Sequence, residues 1–333
     1  MYIKNQWYLA CLLEELNHQN PLKKKICGEQ IVVFKTASGK VGVMEDRCCH
    51  RNVNLSLGYV QGENIKCGYH GWEYSCEGKC VLIPSLPNDE RIPASAKVKK
   101  YVVEVKHKCV WVWIGEEEKA DTSLIPPMHE MDTYPIVYNY HFIDADLQLV
   151  AESLFDAYHI NHVHRNSIKG MMGALKDERM EFNVQVDENS LTGKYFREND
   201  RSIFERIYFG NNKKVETHFG FWFPNISKLD IRFKTRHMVI YEHFYQVDEN
   251  KVCMCQITLW KNILGFLPMP LAKQFMLNKS INIVQEDIAF LENNKRIKKE
   301  TGKSDLLIKS DEVTFEFMKL WKRKTIDSET SSE

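Results

Sequence analysis

The first third of the chain alternates short apolar runs with turn-forming residues, a pattern typical of antiparallel strands. Residues 31–34 and 41–44 are apolar runs on either side of a Thr-Ala-Ser-Gly segment, which predicts a β-hairpin. Residues 101–105 and 109–114 are rich in β-branched and aromatic side chains and predict two more strands. We therefore expect a β-rich first domain over residues 1–118.

The pattern changes after a solvated charge run at 116–119, which is followed by Pro126-Pro127. Residues 180–186 alternate apolar with polar positions, and residues 252–260 form a second strand-like run. Residues 272–294 have helical periodicity instead. The second domain, predicted over residues 119–333, therefore mixes helices with long strands, and the fold class predicted for the whole chain is α+β.

Composition excludes several classes of protein. The chain has 333 residues with 45 Lys plus Arg and 45 Asp plus Glu, so it lacks the basic field expected of a nucleic-acid binder. Neither a leader segment nor an apolar run of about twenty residues is apparent, which predicts a cytoplasmic protein without a membrane span. In that setting the ten cysteines do not indicate a disulfide framework.

Two short segments each combine one thiol with one imidazole. Cys48 and His50 form the first pair, and Cys67 and His70 form the second. A Rieske iron–sulfur centre needs two thiolates on one iron and two imidazoles on the other, and these segments supply that set. A structural zinc site is the alternative, although zinc fingers usually pair Cys with Cys and His with His.

A second constellation follows an apolar helical pattern: Asp156, His159, His162 and His164. Non-haem iron that activates dioxygen is typically held by two His and one carboxylate. His159 and His162 would share one face of a regular helix, whereas His159 and His164 can meet only where the helix ends or distorts. Simple helical geometry therefore favours His159 with His162, and a zinc cluster or surface histidines remain alternatives.

The cysteine and histidine segments resemble the cluster-binding motif of the Rieske non-haem iron oxygenases of the aromatic-ring-hydroxylating type, in their α subunits. The motif is Cys-x-His-Arg, here 48–51, followed by Cys-x-x-His-Gly-Trp, here 67–72. The family usually has Pro after each ligand Cys, where this chain has Cys49 and Gly68. The resemblance implies that the [2Fe-2S] cluster is bound by Cys48, His50, Cys67 and His70.

The segment 156–164 resembles the Asp-x-x-His-x-x-x-x-His motif of the same family. The resemblance implies that His159 and His164 bind a mononuclear Fe(II), with the helix losing regularity near Asn161 and His162 pointing away. It also implies that Asp156 orients a ligand and connects it to electron flow from the Rieske centre of a neighbouring subunit.

The third iron ligand is expected on the late helix. Asp287 has Ile283, Val284, Phe290 and Leu291 as helical neighbours, and a lone carboxylate on an apolar face is costly unless it is paired or binds a metal. An N-cap or a core salt bridge is the alternative. The resemblance favours Asp287, because the family's last ligand lies on a late helix.

The resemblance further implies an N-terminal antiparallel β Rieske domain and a helix-grip-like catalytic domain. It implies a terminal oxygenase that uses O2 to oxidise a small organic substrate, most simply by hydroxylation or demethylation. Electrons would come from NAD(P)H only indirectly, through a separate reductase or ferredoxin, since no dinucleotide fingerprint is present. A homotrimer is expected. The alternatives are a Rieske electron-transfer protein with a ligand-binding C-terminal domain and a zinc-stabilised binding protein.

Overall fold

The computed structural model of the chain describes residues 2–87, 89–165, 167, 180–198, 214–233 and 235–330. Its internal contacts divide it into two compact units, Met1–Pro127 and Met128–Glu333. The division lies shortly after the boundary between residues 118 and 119 that composition predicts. None of the described helices combines the length and the apolar character needed to cross a bilayer.

The N-terminal unit consists of ten short strands arranged in three antiparallel sheets, with orders β1-β10-β9, β2-β3-β4 and β5-β6-β7-β8. The strands are β1 Gln6–Leu12, β2 Leu22–Ile26, β3 Glu29–Lys35, β4 Val41–Glu45, β5 Tyr59–Gln61, β6 Asn64–Lys66, β7 Glu73–Ser75, β8 Cys80–Leu82, β9 Val103–Lys106 and β10 Cys109–Ile114.

Apolar burial explains why these short strands hold their register. Val33 faces Val43 across the β3–β4 hairpin, which confirms the hairpin predicted from the sequence, and both side chains are buried. Strand β10 is buried along its whole length. A second core, which includes Phe34, Ile65 and Tyr74, packs beneath the two segments that contain the Cys and His pairs.

The C-terminal unit is built on one seven-stranded antiparallel sheet of order β11-β17-β16-β15-β14-β13-β12. Its strands are β11 Ile136–Ile143, β12 Phe182–Val186, β13 Ser190–Glu198, β14 Lys214–Trp222, β15 Ile226–Phe233, β16 Arg236–Asp248 and β17 Lys251–Lys261.

The described residues of this unit form four α-helices: α1 Leu147–Ser153, α2 Ile160–Val163, α3 Met269–Thr301 and α4 Glu312–Thr330. Short 3-10 helices lie at Leu13–Glu15, Leu55–Leu57, Glu117–Lys119, Thr122–Leu124, His129–Asp132 and Lys309–Asp311. Helix α3 begins after Pro268 and ends at Gly302, whose φ of 66° is the left-handed geometry that suits glycine at a helix end.

Helix α3 covers one face of the sheet. Its residues Ala272 and Met276 pack with Val137, Ile231 and Trp260 in one apolar cluster. The long helix gripped by an antiparallel sheet, after an all-β N-terminal unit, confirms the α+β prediction. As a result of this packing, one side of α3 faces the sheet. That side bears residues of the site described below.

Candidate metal centres

The first cysteine–histidine segment is a tight turn that follows β4. The Cys48 N–H donates to the Val53 carbonyl at 2.8 Å, and the Asn52 N–H donates to the Cys48 carbonyl at 3.0 Å. Asn52 has a φ of 57°, in the left-handed region that Asn tolerates better than most residues.

The second segment, between β6 and β7, repeats this turn. The Cys67 N–H donates to the Trp72 carbonyl at 2.8 Å, and the Gly71 N–H donates to the Cys67 carbonyl at 3.0 Å. Gly71, with a φ of 74°, occupies the position that Asn52 has in the first turn. The chain therefore uses one turn geometry twice, and each turn presents one Cys at its start and one His within it.

The two turns bring their four side chains together. The His50 and His70 rings are 4.7 Å apart between centroids, and Trp72 stacks on His50 at 4.5 Å. The thiols of Cys48 and Cys67 are 1% and 2% exposed, whereas His70 is exposed. Buried thiols beneath an imidazole pair that reaches the surface match the donor arrangement that a Rieske cluster requires.

Two of these four groups have shifted pKa values. Burial raises the pKa of Cys67, and the adjacent Cys48 adds to this, while the N–H groups of Tyr69 and His70 donate to its sulfur. Burial, His70 and Arg51 lower the pKa of His50, which favours the neutral imidazole that a metal needs. The Nδ1 atom of His50 is buried and has no hydrogen-bond partner among the described residues.

Two supporting residues did not emerge from the sequence. The buried carboxylate of Asp46 accepts hydrogen bonds from Asn54 Nδ2 at 2.9 Å and from the Ser56 N–H at 2.7 Å, which fixes the end of the first turn. The Tyr74 hydroxyl lies 3.1 Å from the Cys48 sulfur and 3.3 Å from that of Cys49. No sequence motif or spacing distinguishes Asp46 or Tyr74 from the other Asp and Tyr residues of the chain.

The second constellation lies on an interrupted helix. Helix α1 ends at Ser153, and helix α2 resumes only after His159. The interruption therefore comes before Asn161, which is inside α2, so the predicted position of the irregularity was wrong. The carboxylate of Asp156 accepts the N–H groups of Tyr158 at 3.0 Å and His159 at 3.3 Å, and such local bonds compete with helix formation.

The interrupted helix places His159 and His164 close to Asp287, which lies on α3. Each offers one ligand atom, and these atoms all lie within 4.8 Å of one another. The Oδ1 atom of Asp287 is 3.5 Å from His159 Nε2 and 3.2 Å from His164 Nε2. His162 is exposed and is not part of the group. Two imidazoles and one carboxylate on one side of a common point are typical of non-haem Fe(II) sites.

Glu286 orients one of these imidazoles. Its Oε2 atom is 3.0 Å from His164 Nδ1 and also accepts the Ser167 hydroxyl at 2.5 Å. With Nδ1 bound to a carboxylate, the opposite nitrogen, Nε2, is directed at Asp287, an arrangement common for metal-binding histidines. The sequence indicated only more polar surroundings for Glu286 than for Asp287, and that was too weak a signal to assign this role.

The site contains excess negative charge. Burial, together with the nearby carboxyl groups of Glu242 and Glu286, raises the pKa of Asp287 to about 8. Burial lowers the pKa of His164, although Glu286 opposes this. A divalent cation bound among the three groups would supply the missing positive charge, so the residues present fit a mononuclear metal ion.

Asp156 lies at the edge of this group. Its side chain is 48% exposed, and Oδ2 is 3.9 Å from His159 Nδ1. Its two backbone hydrogen bonds hold the turn from which His159 projects. It therefore positions His159 from the side opposite to Asp287.

A cavity of about 160 Å³ adjoins the three metal-binding candidates. An engineered apolar cavity of about 150 Å³ accommodates benzene, so this volume suits a molecule with one ring. The apolar part of its wall includes Phe155, Phe182, Tyr195, Phe219, Met238 and Ile283.

Comparison with known protein families agrees with this arrangement. Residues 6–102 match the Rieske [2Fe-2S] domain, and residues 143–324 match the vanillate O-demethylase oxygenase C-terminal domain. The second match alone covers more than half of the chain. The chain belongs to the Rieske oxygenase family. The family expected from the cysteine and histidine motifs is thereby confirmed.

Among curated relatives of this Rieske oxygenase family member, the vanillate O-demethylase oxygenase subunit of a Pseudomonas species is 39% identical over 171 residues, covering 50% of this chain and 47% of the relative. The dicamba O-demethylase oxygenase component of Stenotrophomonas maltophilia is 33% identical over 166 residues, covering 49% and 48%. The chain thus aligns with about half the length of the curated relatives it matches.

A solved structure of dicamba monooxygenase bound to 3,6-dichlorosalicylic acid superposes with a TM-score of 0.81 at 22% identity. The superposition covers 98% of this chain and 99% of that structure. At this identity the likeness establishes the fold.

The raised pKa of Asp287 predicts a pH-dependent stability of the metal-free protein. The native state holds this proton more tightly than the unfolded state, so the contribution of Asp287 to stability is fully present below about pH 4 and is lost as pH rises through about 8. Metal-free Asp287→Asn should therefore melt roughly 5–10 °C above metal-free wild type at pH 8, and the gap should close toward pH 4. Melting curves across this range, with the exposed Asp144→Asn as control, test it, and a pH-independent gap contradicts it.

The Glu286–His164 contact predicts the effect of Glu286 on metal affinity. Glu286→Ala removes the group that orients His164, which should weaken Fe(II) binding about 10–100-fold while the iron–sulfur absorbance persists. Anaerobic Fe(II) titration measures this. The control is Glu292→Ala on the same helix, whose carboxylate accepts only the Asp144 N–H among its described contacts. Equal affinities of the two variants would contradict the assigned role.

Proposed function

We propose that this chain is the terminal oxygenase component of a multicomponent system that oxidises a small organic substrate with O2. The observation that carries the proposal is the presence of two different donor sets in one chain. One set has two thiols and two imidazoles, and the other has two imidazoles and a carboxylate beside a cavity. An electron-transfer protein alone would have no use for the second set.

We assign the ligands as follows. Cys48, His50, Cys67 and His70 bind the [2Fe-2S] cluster. His159, His164 and Asp287 bind the mononuclear Fe(II). The orphaned Nδ1 of His50 supports the first assignment, and the convergence of three ligand atoms supports the second. When bound, the two groups supply electron transfer and the activation of dioxygen.

The residues of the chain hold these groups and shape their surroundings. Trp72 stacks on His50, and the turn hydrogen bonds fix Cys48 and Cys67, so the donor set is rigid. His70 is exposed, which leaves one ligand of the cluster accessible to an electron donor. In the second unit, Asp156 holds the turn that bears His159, and its carboxylate is the group we assign to connecting that ligand with incoming electrons.

Demethylation or hydroxylation is the reaction that we favour. The vanillate and dicamba relatives are named for O-demethylation. A cavity of about 160 Å³ suits a one-ring substrate. Electron supply from a separate reductase or ferredoxin follows from the absence of a dinucleotide fingerprint in the sequence. Assembly as a homotrimer and a cytoplasmic location stay predictions; light scattering of the purified protein tests the first.

Turnover with and without a partner tests this function. The protein loaded with both iron centres should consume O2 and release formaldehyde from methoxyarenes when NADH and a Rieske-oxygenase reductase are supplied. NADH alone should give no turnover. Formaldehyde release and O2 uptake measure the reaction. A colourless, zinc-loaded protein that stays folded would contradict the whole assignment, and activity with NADH alone would contradict the electron supply.

Four alanine variants test which side chains bind the mononuclear iron. His159→Ala, His164→Ala and Asp287→Ala should each reduce this iron to a small fraction of the wild-type content, while the visible spectrum of the cluster persists. His162→Ala is the matched control and should retain the iron, because its side chain is exposed and outside the group. Metal analysis decides: iron lost from His162→Ala but kept by His164→Ala would contradict the assignment.

A further inference from the structure

The cavity contains a carboxyl group that the metal centre does not use. Glu242 lies in the middle of β16 and lines the same cavity as His159, His164 and Asp287. It is close enough to Asp287 for its charge to raise the pKa of that residue. A buried carboxyl group is costly unless it has partners, so its partners indicate its purpose.

Glu242 belongs to a polar row that crosses four neighbouring strands. Ser227 on β15, Glu242 on β16, Gln256 on β17 and Asn139 on β11 are direct cross-strand partners. Cross-strand partners have neighbouring side chains on one face of the sheet. Since Ser227, Glu242 and Gln256 all line the cavity, one end of the row forms a polar patch in a mostly apolar wall.

The hydrogen bonds along this row have a fixed direction. Asn139 Nδ2 donates to Ser280 Oγ at 2.8 Å, and Ser280 Oγ donates to Gln256 Oε1. The amide nitrogen of Gln256 must then face Glu242, and it donates to Oε1 at 3.1 Å. Ser227 Oγ donates to the other oxygen of Glu242, Oε2, at 2.8 Å. Each carboxylate oxygen has two lone pairs, so both can accept another hydrogen bond from a molecule in the cavity.

The ammonium group of Lys228, which lines the same cavity, is already paired. Lys228 is the single Lys or Arg among the described residues of the cavity wall. Its ammonium is 2.9 Å from Glu130 Oε1 and 3.5 Å from Asp230 Oδ2. The described wall also contains the carboxyl groups of Asp156 and Asp287. Within this part of the structure, the wall thus offers hydrogen-bond acceptors to a ligand and no unpaired Lys or Arg.

We propose that Glu242 is a specificity-determining residue that accepts a hydrogen bond from a protonated amine, or from another N–H or O–H donor, on the substrate. This deepens the proposed oxygenase function and rests on it, since it concerns which molecule the cavity accepts. A carboxylate head group at the same position has no proton to donate to the acceptors of the wall, and such unfavourable contacts are an effective means of rejection. A buried polar group left without its partner adds to the discrimination.

Three probes that differ only in their head group test this: meta-methoxybenzylamine, meta-methoxybenzyl alcohol and meta-methoxybenzoate. Anaerobic calorimetric titration of the iron-loaded protein should give the tightest binding for the amine and the weakest for the benzoate. Glu242→Gln should weaken amine binding about tenfold or more, because the amide has one acceptor oxygen where the carboxyl group of Glu242 has two. Glu242→Asp should keep the order of preference. Glu216→Gln, on β14 and outside the cavity wall, is the control and should leave all three affinities unchanged.

Several outcomes overturn the assignment. In the first, wild-type protein binds the benzoate as tightly as the amine. In the second, wild-type protein shows no preference among the three probes. In the third, Glu242→Gln binds the amine as tightly as wild type does. Iron content and the visible spectrum of each variant exclude misfolding, and the wild-type preference decides if Glu242→Gln does not fold. Turnover without head-group preference contradicts the role of Glu242 and leaves the oxygenase function standing. Binding that depends on Glu242, without any turnover, contradicts the oxygenase function and leaves the role of Glu242 standing.

Discussion

The negative charge that gathers around Asp287 is the constraint on which the second unit depends. Three carboxyl groups, Asp287, Glu286 and Glu242, come from one helix and one strand, and the two glutamates raise the pKa of the half-buried Asp287. Such a group of acids is stable only if the protons stay on or a cation is bound. The two imidazoles of His159 and His164 complete a donor set that fits a divalent metal ion, and such an ion, when bound, would stabilise the folded state.

The supporting structure follows from that requirement. Helix α3 must present Asp287 to the sheet, and its apolar stripe, with Val284 and Leu291 buried on either side, anchors it there. The opposite ligands must approach from a segment that is not a regular helix, and the carboxylate of Asp156 interrupts it by accepting local N–H groups. The sheet then closes the cavity with an apolar wall interrupted by the polar row at Glu242.

The features of the site that could be predicted from the sequence are those formed by residues close together in the chain. The Cys and His pairs lie within single turns, and the segment from Asp156 to His164 has a spacing that the family resemblance identifies. Asp287 was accessible because of its apolar helical neighbours, although one of them, Phe290, is 61% exposed in the structure. The resemblance was needed to choose His164 over His162, because helical geometry favoured the other pair.

The features that could not be predicted from the sequence depend on contacts between segments that are distant in the chain. Glu242 meets Ser227 and Gln256 only through strand register, which no local pattern specifies. Glu286 gains its role from His164, which is distant in sequence. The helix interruption was predicted near Asn161 and occurs earlier, because the competing acceptor is the side chain of Asp156 rather than a helix-breaking residue.

The central claim is that one chain holds an iron pair and a separate single iron. Mössbauer spectroscopy of protein purified after growth on iron-57 and reduced under anaerobic conditions tests it most directly. The account predicts two iron populations in a ratio of about two to one: a coupled pair with mixed sulfur and nitrogen ligation, and a high-spin ferrous ion with nitrogen and oxygen ligation. A spectrum with the coupled pair alone, from protein supplied with excess Fe(II), would contradict it.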